Sequence, residues 1–216
     1  MSSVMVCGSA RQLVQPDRAV VSLGISVVAP DAAGALDQVA ARSTTLVEVL
    51  GRLGFATTDW VTDGVTVAEE WEWRNDTNTL VGHRASTGAT VTVSRLDAIA
   101  PLLRATVDEA RGTVRQLRWE VDADHPVRHD LLGRAATDAR RRAVAYATAL
   151  GLELGAVELI SESPIGTGTP GPAADAMPML AMARGKAAGA PELSVSGGQI
   201  ELRAEVHVRF ALLHAR

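Results

Sequence analysis

The sequence predicts an α+β fold, with largely antiparallel sheets and three helices packed on one face in the order ββα–ββα–β–α–ββ. Two periodicities carry that reading. In Gln199–Phe210, "QIELRAEVHVRF", apolar residues alternate with polar ones over twelve positions, the mark of a long strand with one face in a core and one in water. In three other stretches the apolar residues return every three or four positions, the mark of a helix against a sheet. The whole of 1–216 is expected to be one domain, with 1–94 and 95–216 as its two lobes if it divides.

The elements follow in chain order. A strand is expected near 4–14, then a turn at Pro16–Asp17, then "RAVVSLGISVV", where Val21, Leu23, Ile25 and Val27 alternate with Ser22, Gly24 and Ser26. The first helix occupies 31–53, with Asp31 as cap, Gly54 as stop and a stripe of Leu36, Val39, Ala40, Val47 and Leu50. Strands at 61–73 and 80–94 form a hairpin. A second helix at 97–110 buries Ile99, Leu102, Leu103 and Val107, and Pro101 confines its start to about Asp97. After a strand at 113–122 comes the longest helix, about 127–150, with Leu132, Ala135, Ala136, Ala139, Ala143, Ala147 and Leu150 on its inner face and Gly151 as its stop. A strand at 156–162 precedes the closing one. Between them 164–191 reads as a flexible loop inserted within the sheet, because it holds five of the nine prolines without sustained periodicity.

Composition bounds the function. Nearly half the residues are apolar, enough for a sizeable core. A net charge of −4 gives no electrostatic reason to expect nucleic acid, and the arginines are scattered apart from Arg140–Arg142. The single cysteine, Cys7, excludes an intrachain disulfide and reads as a packed thiol in a strand. With no signal-like leader and no apolar run near the roughly 18–20 residues of a membrane span, the chain as written is expected in the cytoplasm.

Three stretches are candidates for function. "EEWEWR" (69–74) places Trp71 and Trp73 two residues apart at the end of a hairpin turned by "NDTN", in a chain with seven aromatic residues. At strand period both indoles share a face with Val65, Val67 and Glu69, while Glu70, Glu72 and Arg74 face away. That geometry reads as an interface rather than an acid–base site. "DADHPVRHD" (122–130) sets His125 and His129 four apart, a metal-compatible spacing on a helix, but Pro126 between them starts the helix and leaves His125 outside, with Asp124 as cap. "MPMLAM" offers Met177, Met179 and Met182 as soft ligands, or with Leu180 as an apolar docking segment. His207 falls on the polar face of the last strand. No phosphate loop, nucleophile elbow or paired acid in an apolar surround is present, so no catalytic residue and no cofactor are assigned.

Taken together, four stretches resemble the SIMPL-domain family, long catalogued as a domain of unknown function. They are "GSARQLVQPDRAVVSLGI", "WEWRNDTNTLVGHRASTGATVTV", "RAATDARRRAVAYATALGLELGAVELISE", and the Pro-rich loop with the closing amphipathic strand. His83 stands where the family usually has an aromatic residue, and Trp71 and Trp73 stand where Tyr is common. The resemblance implies an α+β protein without an established enzymatic activity or catalytic residue to carry over. It also implies relatives that form ring-like oligomers, include periplasmic and outer-membrane immunogenic proteins, and are linked to stress tolerance or signalling.

The expectation is therefore a non-enzymatic protein that self-associates through sheet edges and apolar surface, with Trp71, Trp73, Met177, Met179, Leu180 and Met182 at the interface. The alternative is a metal- or small-ligand-binding protein using His125 and His129 or the three methionines.

Overall fold

The computed structural model describes residues 2–74, 76–163 and 196–214. Their contacts divide them into two compact units, and the division does not follow chain order. The central stretch Pro16–Glu120, joined by residues 196–197, makes one unit, and the chain before Pro16, the stretch from Val121 to residue 163 and the chain from Gly198 make the other. The segment 164–191, read above as a flexible insertion, lies outside the described residues.

The central unit is a five-stranded antiparallel sheet under two helices. Its strands are β2 (Arg18–Ala29), β3 (Trp60–Thr62), β4 (Thr66–Arg74), β5 (Thr77–Val93) and β6 (Thr113–Glu120). The 17-residue β5 organises them: β2 runs along one side, from Ala19 opposite Val93 to Ala29 opposite His83, and β3 and β4 share the other. β6 lies on the far side of β2. The single strand expected at 61–73 is thus two, broken at Asp63–Gly64, a dipeptide that favours turns.

Apolar side chains at alternate positions of β2 and β5, including Leu23, Ile25, Ala89 and Val91, form the core with α1 (Ala32–Arg52) and α2 (Ile99–Asp108). Asp31 caps α1 as expected, its carboxylate accepting from Gly34 N–H at 2.8 Å, and Gly54 beyond its end has φ +78°. The buried stripe of α1 is Ala35, Val39, Leu46, Val49 and Leu50, whereas Leu36, Ala40 and Val47 are exposed. α1 carries apolar residues on two adjacent faces, and the sheet selects the one a 100° step from that expected. On α2, which follows a 3₁₀ turn at Leu96–Ala98, Val107 is exposed and Thr106 is buried, its hydroxyl satisfied by donating to Leu102 C=O at 2.8 Å.

On the opposite face of this sheet a strap crosses the strands. Gly24 and Gly88 are cross-strand neighbours, and Arg115 lies over both, donating to Thr87 C=O at 3.2 Å and reaching Asp63 at 3.5 Å. A Cβ on Gly24 would stand 2.4 Å from Arg115 Nε, and one on Gly88 2.4 Å from the Asp63 carboxylate. A side chain at Gly24 would collide with the arginine, and one at Gly88 with the Asp63 carboxylate, the arginine and the Leu23 carbonyl.

The other unit is a three-stranded antiparallel sheet, β1 (Ser3–Val14), β8 (Ile200–His214) and β7 (Leu152–Ser161), with β8 in the middle, under α3 (Pro126–Ala149). β8 keeps the alternation read from the sequence, burying Leu202, Ala204, Val206, Val208 and Phe210. α3 buries Leu131, Ala135, Ala139, Ala143 and Ala147, one residue every four, and leaves Leu132, Ala136 and Leu150 exposed. The alanine row lets the helix lie close on β1: a Cβ on Gly8 would be 2.1 Å from Ala135 C=O. Asp138 accepts from Ser9 N–H at 3.1 Å, so α3 satisfies part of the outer edge of β1. β7, by contrast, pairs only with β8 among the described residues. No described helix is long and apolar enough to cross a membrane.

Candidate interaction site

The ladder between β2 and β5 ends at Ala29 opposite His83. Farther out, residues Thr77–Gly82 of β5 pair with β4 alone, so the end of the β4–β5 hairpin runs on without a third strand. Arg74 already faces Thr77, and Asp76 between them has φ +58°, which Asp tolerates better than most residues. The turn is therefore tighter than the four residues "NDTN", and β5 begins at Thr77 rather than Leu80.

At the root of this extension the register slips between Glu70 and Trp71, leaving Val81 as the extra residue of a bulge on β5. Gly82 makes it feasible: its φ is +147°, and a Cβ there would be 2.4 Å from Ala29 C=O. The slip lies on β5, so the alternation of β4 is kept. Trp71 donates through Nε1 to Glu69 at 3.1 Å, in keeping with a shared face, and Val67 on that face lies opposite Ala85 of the core. The tryptophan face is thus the core face of the sheet carried outward. Trp71 is 49% exposed, Trp73 is 69% and Leu80, opposite Trp71, is 45%.

The reverse face is held by charge. Glu70 accepts two hydrogen bonds from Arg84, whose third donor reaches Ser26 Oγ at 3.3 Å. Those bonds hold the Glu70 carboxyl below its ordinary range. Glu72 pairs with Arg74. The carboxylates therefore brace the hairpin rather than frame a reaction centre.

The other sequence candidates fall elsewhere. His125, not Asp124, caps α3: its Nδ1 accepts from Val127 N–H at 3.3 Å, while Asp124 N–H is taken by the Asp122 carboxylate at 2.8 Å. Pro126 fixes the chain direction so that the imidazole, not the preceding carboxylate, meets the free amide. His129 is exposed on the helix. Among the described residues no three His, Cys, Asp or Glu side chains cluster as a metal would require. Met177, Met179, Leu180 and Met182 lie outside the described residues. One neighbour pair was invisible to local motif reading: β1–β8 pairing sets His207 directly opposite Cys7, two hundred residues away. The thiol donates to Gly8 C=O at 3.8 Å, and both side chains are half-buried.

A family model described as SIMPL, protein of unknown function (DUF541), matches residues 4–210. The chain belongs to the SIMPL family. No curated protein matches it. The SIMPL match runs through both compact units, so the tryptophan hairpin and the α3 sheet alike lie within the family domain.

Proposed function

We propose that this SIMPL-family chain is a non-enzymatic protein that self-associates through its sheet edges and exposed apolar surface, in a stress-response or signalling setting. The observation that carries the reading is the outer end of the β4–β5 hairpin, which presents Trp71, Trp73 and Leu80 on the continuation of a core face. A two-stranded ribbon is marginal in water, and large aromatics there gain most by burial against a partner. β4 and β7 each pair on one side alone among the described residues, so each offers hydrogen-bonding groups to another chain. Sedimentation velocity across a wide concentration range tests the reading. A mass that rises with concentration supports it, and a strict monomer at the highest concentration rejects it.

A further inference from the structure

We infer that the tryptophan hairpin of one copy seats in the groove between α3 and β7 of a second copy, a head-to-tail contact that rests on the self-association proposed above. The groove holds about 300 Å³ and is lined by Ala136, Gly155, Val157, Ile160 and Phe210, with Arg140 among them. That volume lies at the small end of ligand pockets, about 300–1,000 Å³, and suits one or two large side chains rather than an extended ligand. The hairpin supplies such side chains at the outer end of its ribbon.

Charge selects the pairing. Between Thr66 and Gly82 the hairpin carries four acids, Glu69, Glu70, Glu72 and Asp76, against one base, Arg74. α3 carries five arginines against two aspartates. Arg134 is paired with Asp130, and Arg141 and Arg142 with Asp138, but Arg140 makes no ion pair among the described residues. Glu69 shares the tryptophan face, so an indole entering the groove brings a carboxylate toward Arg140. Tip-to-tip pairing would instead set acidic hairpins against each other. Because tip and groove are different surfaces, each copy uses both, and the contact propagates into a ring or a filament rather than stopping at a dimer.

The test is a mixing experiment with the full chain. Trp73→Ala removes the tip and keeps the groove; Ala136→Trp fills the groove from an exposed helix position and keeps the tip. Each variant alone should associate roughly 10- to 30-fold more weakly than the parent, the loss typical of an aromatic anchor. Their 1:1 mixture retains one good contact and should form dimers that grow no further. Circular dichroism checks that both variants fold, and Arg140→Glu, which leaves the groove open, should weaken assembly in a salt-dependent way. If the parent assembles but Ala136→Trp assembles equally well, or the mixture stays monomeric, the tip-in-groove contact is wrong while self-association stands. A monomeric parent removes both.

Discussion

Gly8 and Asp138 show how single residues set the spacing of helix and sheet. With Ala135 C=O 2.1 Å from where a Cβ would sit, Gly8→Ala forces α3 away from β1. We expect a loss of about 1–3 kcal/mol, the usual cost of overpacking, measured by urea denaturation. The Ser9 N–H hydrogen bond, with help from Arg141 and Arg142, holds the Asp138 carboxyl below its ordinary 3.8. A carboxyl depressed in the folded state adds stability that is fully present above the unfolded value and is lost as pH falls through the folded one. Asp138→Asn should therefore lower Tm at neutral pH, and the gap from the parent should close in acid. Thermal scans across the acid range check this, and a gap that is independent of pH would refute the assignment. Neither role was legible in the sequence. The alanine row announced close approach, but nothing local said that Gly8 would lie beneath it.

At the scale of elements, the hairpin separates folding from assembly. Trp71 and Trp73 are largely exposed, so replacing both by alanine should change unfolding free energy by no more than about 0.5 kcal/mol while weakening self-association. Denaturant titration and sedimentation of the same preparation provide the comparison. A large stability loss would make the indoles core residues instead. The facing of β4 was readable because strand alternation has only two outcomes. The bulge at Val81 was not, since it depends on how β5 meets the end of β2. Helix positions were readable from Asp31, Gly54, Pro126 and Gly151, but their inner faces were less so. Where apolar residues crowd adjacent faces, as Ala35 and Leu36 do, only the sheet decides between them.

At the scale of the molecule, chain order and compactness disagree. Ser3 pairs with Ala211, so one unit is closed by the two ends of the chain, whereas the other is nearly continuous. Residues 16–120 expressed alone should unfold cooperatively, as seen by calorimetry, because they carry their own sheet, core and two covering helices. A chain lacking Ile200–His214 should lose the three-stranded sheet, since β8 is the strand to which both others pair. Amphipathic strands could be counted from the sequence, but which distant strands pair is a property of the closed structure.

The strap over Gly24 and Gly88 has a consequence for inheritance. Arg115 and Asp63 hold their positions only while both glycines stay bare, so these four sites vary under one shared constraint. A larger residue at Gly24 becomes acceptable once Arg115 has shortened, whereas Gly88 is crowded by the Asp63 carboxylate and the Leu23 carbonyl as well and has to stay bare. Related chains should change Gly24 together with Arg115 and keep Gly88.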